Sequence, residues 1–207
     1  MSEIWNKVYS NDASFFGDGP SNFGLDCYEE FKRNGVKRIL ELGCGQGRDT
    51  IFFASNGIDV VAIDLSQIAV DALSKIAIER DLPIRPIVHD AGKGIPCYGS
   101  YFDAVYSHMF FNMRFSADNL KYLFIEVNRV LKNDGLNLFS VRSDHDAMYR
   151  RGALVEEDIY DINGFQIRFF TKFDIEEIIT KTGFDLYEIT EAYEEPVNLY
   201  CVFTRKR

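Results

Sequence analysis

The sequence predicts an α/β protein built on a doubly wound, seven-stranded and mostly parallel sheet that ends in a C-terminal antiparallel hairpin. Two observations lead to this fold class. Short runs rich in β-branched residues alternate with stretches of helical periodicity, which is typical of parallel strands joined by right-handed crossover helices. The last two strand-like runs are separated by too few residues for a crossover helix, so we expect them to pair antiparallel.

Four strand-like runs come first, "VKRILEL", "IDVVAID", "LPIRPIVHD" and "YFDAVYS". Between the first two, "GRDTIFFASNG" has Ile51, Phe52 and Ala54 on one helical stripe and ends at Gly57, a typical helix stop. The next helix, "SQIAVDALSKIAIERD", begins at Ser66, a natural N-cap. The chain therefore reads strand, helix, strand, helix, strand.

The second half of the chain supplies three more strands. After the helical stretch "SADNLKYLFIEVNRVLK", a turn at Asp134 and Gly135 leads into a fifth strand. Another helix, "FDIEEIITKTGF", stops at Gly183, and "DLYEITEAY" and "VNLYCVFTRK" form the final hairpin around Pro196. We expect one domain over residues 1–207, since this length fits an ordinary single domain.

One segment, from about Ser143 to Phe170, interrupts this alternation. It contains two alternating runs joined at Asn163 and Gly164, which predicts a tight type I′ hairpin. Because the segment follows the fifth strand, it rises from the carboxyl edge of the sheet, where ligands bind in this fold class. We interpret it as an insertion that covers the substrate.

Charge and composition exclude some classes of partner. With 23 basic and 32 acidic residues and a net charge of -9, a basic surface for nucleic acid or an anionic membrane is not expected, which favours a small-molecule partner. The four cysteines form no CxxC pair, the chain opens without a signal region, and no apolar run could cross a bilayer. We expect a reduced, soluble, cytoplasmic protein without a metal centre.

The stretch "RILELGCGQGRDT" places Gly43, Gly45 and Gly47 directly after the first strand. Glycines there let a ligand lie against the backbone, where a Cβ would collide. No Lys-Ser or Lys-Thr pair follows, as in a P-loop, and Arg48 occupies the position of the third glycine of GxGxxG. The turn therefore predicts a ligand site that does not depend on phosphate.

Acidic residues at the ends of neighbouring strands indicate a nucleoside. Asp64 ends the second strand, where a carboxylate accepts from both ribose hydroxyls. Asp90 ends the third strand and could accept from the exocyclic amine of adenine, with Leu65 and Ala91 beside the ring. Glu41 adds a third carboxylate just before the first glycine, so we expect a cationic ligand.

Taken in order, these motifs resemble the class I methyltransferases that use S-adenosylmethionine. "LELGCGQGRDT", "VVAIDLS", "VHDAGKGIPC", "YFDAVYS" and "VNRVLKNDGLNLFSV" match that family's motifs over roughly residues 36 to 142. The "GRD" ending and the opening "IWNKVYSNDASFF" are similar to its tellurite-resistance and thiopurine branch of small-molecule enzymes. The resemblance implies methyl transfer from S-adenosylmethionine to a small-molecule acceptor.

The resemblance also implies roles for matched positions. The three glycines would contact the methionine part, Asp64 the ribose, and Ser107 would lie beneath the sulfonium. The alternatives are an ordinary turn for the glycines and helix N-caps for Asp64 and Asp90. The expected cofactor-binding residues are Trp5, Tyr9, Glu41, Gly43, Cys44, Gly45, Gly47, Asp64, Leu65, Asp90, Ala91 and Ser107.

Three further positions also have a second interpretation. Trp5 and Tyr9 are spaced i, i+4 on a predicted first helix, so their rings share one face. That face could be a lid over the cofactor, as the small-molecule branch would imply, or simple packing of the helix. Cys44, between two glycines, is a small filler and not a nucleophile.

Methyl transfer from a sulfonium is an in-line displacement, which alignment and desolvation can catalyse without an obligatory base. His108 is the candidate base if one is used, and its alternative is a histidine that only lines the pocket. Arg142, His145 and Tyr149 are the candidate acceptor residues, because they lie at or after the end of the fifth strand. Solvated charges would explain Arg142 and His145 equally well.

Two other functions remain open on the sequence alone. An NAD-dependent oxidoreductase would use the same sheet and the same acidic ribose contact, although the glycine spacing and terminal hairpin disfavour it. A non-catalytic module that binds S-adenosylmethionine is the second alternative. Measuring which cofactor binds, and whether a product forms, separates the three.

Overall fold

A computed structural model describes residues 2–12, 15–17 and 19–207. Seven strands form one sheet, in which the order across the sheet is third, second, first, fourth, fifth, tenth and ninth strand of the chain. Three further strands form a separate sheet. The strands are β1 Arg38–Leu42, β2 Asp59–Asp64, β3 Ile84–Val88, β4 Phe102–His108, β5 Leu131–Arg142, β6 Ala153–Glu156, β7 Ile159–Ile162, β8 Phe165–Arg168, β9 Phe184–Glu194 and β10 Val197–Lys206.

Helices flank the larger sheet. Ser66 caps its helix as the sequence predicts, and the structure shows that Ser116 does the same for the helix after β4, each accepting a hydrogen bond from a backbone N–H three residues on. Sequence reasoning missed the helix Asn22–Asn34, although the Ser21 side chain accepts from the Gly24 N–H at its start and Gly35 ends it with a φ of 64°. The helices are α1 Ser2–Asn11, α2 Asn22–Asn34, α3 Arg48–Ser55, α4 Gln67–Glu79, α5 Ala117–Val130 and α6 Lys172–Lys181, with a 3-10 turn at Ala91–Lys93.

The parallel strands bring their carboxyl ends to one edge. Leu40 at the centre of β1 lies opposite Val61 of β2 and Val105 of β4, both in parallel register. β3 extends this arrangement beside β2 and β5 beside β4. The turn after β1 and the last residues of β2, β3 and β4 therefore lie at the same edge, as predicted.

The antiparallel end of the sheet also follows the prediction. β10 pairs antiparallel with β9 and with β5, where Cys201 lies opposite Ser140. A cis peptide bond joins Glu195 to Pro196 in the short connection between β9 and β10. The seven-stranded, mostly parallel sheet with a terminal hairpin is thus confirmed.

Each face of the sheet has its own core. Phe111, Phe124 and Phe139 pack on one face, and Phe53 and Tyr106 pack on the other. All five side chains are almost completely buried. Burying one such side chain contributes about 1.5–3 kcal/mol relative to leaving it exposed, so the two layers fix the sheet that carries the strand ends.

The insertion between β5 and α6 is a small antiparallel sheet of β6, β7 and β8. Asn163 and Gly164 both have positive φ, 54° and 86°, as the predicted type I′ turn between β7 and β8 requires. Sequence reasoning missed β6, because this strand is short and largely exposed and shows no apolar alternation. Along the described parts of the chain, no helix has the length and apolar character needed to span a bilayer.

Candidate functional site

The glycine turn that follows β1 has backbone angles that residues other than glycine adopt only with strain. Gly43, Gly45 and Gly47 have φ values of 71°, 51° and 87°, in the left-handed region. A Cβ on Gly47 would lie 2.5 Å from a methyl carbon of Leu73 on α4. The Gly43 N–H donates to the Ile63 carbonyl at the end of β2, at 2.8 Å. Both conformation and packing therefore require glycine here.

Asp64 holds the glycine turn from the neighbouring strand. Its Oδ2 accepts from the Gly45 N–H at 2.9 Å, and its Oδ1 accepts from the Ser66 N–H at 2.8 Å. Burial raises the pKa of Asp64, while these backbone hydrogen bonds act in the opposite direction. Because each carboxylate oxygen can accept a second hydrogen bond, the side chain supports the turn and keeps capacity for a ligand hydroxyl.

Asp90 ends the third strand region at the same edge. Its Oδ1 accepts from the Gly92 N–H at 3.1 Å, which caps the 3-10 turn, and Lys93 lies 3.7 Å from Oδ2. Ala91 is buried, and Leu65 after β2 is half-buried. The N-cap contact that the sequence offered as an alternative is present, on a carboxylate that stays partly accessible.

Glu41 and Cys44 lie inside the protein beneath the turn. The Thr50 hydroxyl donates to Glu41 at 2.5 Å, and burial followed by the charge of Asp49 raises the pKa of Glu41. Burial and the charge of Asp64 raise the pKa of the Cys44 thiol. Cys44 is therefore a protonated, buried side chain, in agreement with its interpretation as a filler.

Aromatic side chains cover the turn. The Tyr9 hydroxyl of α1 lies 2.9 Å from the position that a Cβ on Gly45 would take, and Phe110 lies 2.8 Å from that on Gly43. Trp5 stacks on Tyr9 with ring centroids 5.5 Å apart. The predicted shared face of Trp5 and Tyr9 is present, and it lies over the turn.

Ser107 and His108, at the end of β4, lie on opposite faces of the sheet. Ser107 is buried, and its hydroxyl has no hydrogen-bond partner among the described residues. The His108 ring stacks on Phe23 of α2, with centroids 5.9 Å apart. The end of β4 therefore offers a buried hydroxyl on one side and a packed imidazole on the other.

His108 belongs to a polar network that crosses several elements. Its Nδ1 lies 2.7 Å from the Ser140 hydroxyl of β5, and its Nε2 lies 3.4 Å from a carboxylate oxygen of Glu194 on β9. Arg48, directly after the glycine turn, donates to the other Glu194 oxygen at 2.9 Å. Sequence reasoning missed the pairing of Arg48 with Glu194, because the two residues are 146 positions apart and no local pattern links them.

The network also sets the charge of Glu194. Burial raises the pKa of its carboxyl, but the close contact and charge of His108 and the charge of Arg48 together outweigh burial, so the pKa is lowered. The carboxylate is therefore ionised and paired at neutral pH. The Ser140 contact and the stacking on Phe23 restrain the imidazole, whereas its buried Nε2 has no hydrogen-bond partner among the described residues.

The three candidate acceptor residues each have a local partner. Arg142 forms two hydrogen bonds with the buried carboxylate of Asp146, at 2.9 and 2.7 Å. Tyr149 packs against Phe169 of the insertion. His145 is exposed and lies 3.1 Å from Glu191 of β9. Arg142 and Tyr149 therefore belong to the base of the insertion, while His145 lies on its outer side.

Comparison with known proteins agrees with this architecture. A family model described as a methyltransferase domain matches residues 39–135. A candidate methyltransferase of Geobacillus sp. (strain WCH70) is 24% identical over 80% of this chain, which spans 64% of that relative's length. The candidate methyltransferase YqeM of Bacillus subtilis (strain 168) is 26% identical, with 91% of each chain covered.

Two solved structures have the same fold. The 1,6-didemethyltoxoflavin-N1-methyltransferase of Burkholderia thailandensis, with its acceptor and S-adenosylhomocysteine bound, matches with a TM-score of 0.79 and 17% identity, over 99% of this chain and 86% of that one. TehB of Haemophilus influenzae matches with a TM-score of 0.67 and 17% identity, over 88% and 62%. At these identities the likeness is one of fold.

Proposed function

We propose that this chain, which matches a methyltransferase domain over residues 39–135 and shares its fold with a solved methyltransferase, transfers the methyl group of S-adenosylmethionine to a small-molecule acceptor. The observation that carries the proposal is the convergence of three strand ends. The glycine turn after β1, Asp64 at the end of β2 and Asp90 after β3 lie at one edge of the sheet, and the Gly45 N–H donates to Asp64.

The residues at this edge fit the cofactor. The Phe110 ring and the Tyr9 hydroxyl lie where a Cβ on Gly43 or Gly45 would be, so the methionine part would reach the backbone of the turn with these two side chains displaced outward. Arg48, the basic residue of the turn, donates to the Phe16 carbonyl and to Glu194. Since its guanidinium is committed to these partners, a sulfonium nucleoside suits the turn better than the pyrophosphate of NAD.

Each carboxylate has a role in this proposal. Asp64 would accept from the ribose hydroxyls with the lone pairs that Gly45 and Ser66 leave free. Asp90 would accept from the adenine amine, with Leu65 and Ala91 beside the ring. The buried hydroxyl of Ser107 would face the sulfonium region, where it has no protein partner among the described residues.

When bound, S-adenosylmethionine supplies an electrophilic methyl group on a charged sulfur. The protein's contribution to the displacement is alignment and exclusion of water, because the reaction neutralises charge and proceeds in line. Tyr9 and Phe110 provide the exclusion, since both pack directly over the glycine turn. A weakly acidic acceptor would lose its proton to water or to a nearby base after or during transfer.

His108 fits a positioning role better than that of a free base. Its two nitrogens face Ser140 and Glu194, and its ring packs on Phe23. We infer that it fixes the end of β4 relative to β5 and β9, next to Ser107.

The insertion over residues 143–170 would cover the acceptor, and the negative charge of the chain favours a small molecule over a nucleic acid. A cytoplasmic location stays a prediction.

The proposal is tested by transfer of a labelled methyl group. The protein is incubated with tritiated S-adenosylmethionine and a panel of phenols, amines, thiols and N-heterocycles, and labelled product is separated by chromatography. We expect label in at least one small molecule and no label in added RNA or DNA. Cofactor binding without any labelled product across the panel would support the non-catalytic module instead.

A further inference from the structure

Two segments from opposite ends of the chain meet near the glycine turn. The Trp5 ring of α1 lies 5.7 Å from the ring of Phe165, which begins β8 directly after the Asn163 and Gly164 turn. Trp5 also contacts Phe16, with ring centroids 6.3 Å apart. The N-terminal helix and the tip of the insertion are therefore in direct aromatic contact.

A continuous row of side chains connects this contact to the turn. Tyr9 stacks on Trp5, and its hydroxyl lies against Gly45. Tyr9 is 7% exposed and is the most buried member of the row. Trp5 lies between Tyr9 and Phe165, so the row joins Gly45 to the tip of the insertion.

The turn also holds the segment after α1 through its own side chains. The Gln46 amide donates to the Asp12 carbonyl at 2.8 Å and accepts from the Phe15 N–H at 3.1 Å. Arg48 donates to the Phe16 carbonyl at 2.7 Å. These contacts give the turn a second, polar connection to the same aromatic cluster.

We propose that Trp5 and Phe165 form an aromatic latch that determines acceptor specificity and couples it to cofactor binding. The inference rests on the proposed function. Cofactor bound at the glycine turn would hold α1 in place through its contact with Tyr9. Trp5, on the same helix, would then hold Phe165 and the β7–β8 hairpin in place. Phe16, 36% exposed, extends the same aromatic surface. Such rings favour an acceptor with a planar, apolar face, because flat rings stack on one another.

The coupling is tested by hydrogen exchange with S-adenosylhomocysteine as the probe. In the wild type the ligand should slow exchange of the amides of residues 159–168 by about 5-fold or more, a typical coupling between two sites. Trp5→Ala and Phe165→Ala should abolish this protection. The matched controls are Ile4→Ala on the same helix and Leu154→Ala on the same small sheet, whose side chains are 43% and 63% exposed.

Affinity provides the second readout. Since coupling is reciprocal, Phe165→Ala should weaken S-adenosylhomocysteine about 2- to 10-fold, the range expected for loss of one aromatic pair, although Phe165 belongs to no cofactor motif. Leu154→Ala should leave the affinity unchanged. If Trp5→Ala fails to fold, Phe165→Ala alone decides.

Specificity is tested with a matched pair of probes, planar 2-naphthol and non-planar decahydro-2-naphthol. In NMR titrations of the S-adenosylhomocysteine complex, 2-naphthol should shift the Trp5 indole N–H, and Phe165→Ala should remove the preference for the planar probe. Equal binding of the two probes, or hairpin exchange that ligand leaves unchanged, would overturn the latch and leave the proposed function standing. If S-adenosylhomocysteine does not bind at all, that result contradicts both the proposed function and the latch.

Discussion

The glycine-turn region, residues 38–108, and the insertion, residues 143–170, lie at the same end of the sheet but use their polar residues differently. In the first, Asp64 bonds to backbone N–H groups and retains acceptor capacity. At the base of the second, Asp146 is buried and pairs with the guanidinium of Arg142, the last residue of β5. Asp64 therefore keeps capacity for a ligand, whereas the charges of Arg142 and Asp146 are already matched within the protein.

The sharpest test of this contrast is Asp146→Ala. Removing the carboxylate leaves the guanidinium of Arg142 without its charged partner and also removes the acceptor of the Met148 and Asn198 N–H groups. We expect a loss of about 3–5 kcal/mol in the free energy of unfolding, as for other broken buried ion pairs. Urea denaturation measures this loss.

The control for that variant is Glu156→Ala, on the exposed face of β6. The account predicts that Asp146→Ala leaves the affinity for S-adenosylhomocysteine within a few-fold at temperatures where the variant is folded. A fully stable Asp146→Ala protein would contradict a structural role and would return Arg142 to the list of candidate acceptor residues.

The second test addresses the glycine-turn region. Asp64→Ala should weaken S-adenosylhomocysteine by about 1–3 kcal/mol, roughly 5- to 150-fold, because ribose hydroxyls lose a charged acceptor. Asp71→Ala is the matched control, since Asp71 is an exposed carboxylate on α4 that accepts from Gln67. Calorimetry on both variants gives the comparison, and equal affinities would move the ribose site away from Asp64.

A smaller effect is expected from the network of Glu194 with Arg48 and His108, which joins the glycine-turn region to β9. Glu194 has a lowered pKa in the folded protein, so its stabilising contribution is fully present above its ordinary value of 4.5 and is lost as the pH falls below it toward the folded value. Glu194→Gln should cost about 1 kcal/mol at pH 7, a discounted value for a partly exposed pair. The difference from wild type should shrink as the pH falls below 4.5.

Thermal unfolding of both proteins between pH 3 and 7 measures that difference. His108→Asn, which removes the imidazole facing Glu194, should reproduce part of the same pH dependence. A gap between wild type and Glu194→Gln that stays constant over this range would show that the contacts of Glu194 with Arg48 and His108 do not contribute to stability.

The fold could be predicted from the sequence because the spacing of apolar residues shows which side of each helix or strand is buried. The strand and helix order, the terminal hairpin and the Asn163 and Gly164 turn are all present. Helix α2 and strand β6 were missed for different reasons. The caps of α2 at Ser21 and Gly35 are local features of the sequence that predict a helix between them, whereas the exposed β6 carries no apolar signal.

The site could be predicted only in part. Glycines with positive φ and a carboxylate at a strand end are local features, so the positions of Gly45 and Asp64 at the site could be predicted from the residues next to them in the sequence. Contacts between segments that are far apart in the sequence have no such local pattern. Arg48 with Glu194 and Trp5 with Phe165 are each brought together by folding alone, and the second pair places α1 against the insertion.

The central claim is that the glycine turn binds a sulfonium nucleoside and not a dinucleotide. Isothermal titration calorimetry with S-adenosylmethionine, S-adenosylhomocysteine and NAD tests it most directly, with Asp64→Ala as the site control. The account predicts micromolar binding of the first two ligands, weakened by Asp64→Ala, and no measurable heat with NAD. Binding of NAD together with no heat from either S-adenosyl compound would contradict it.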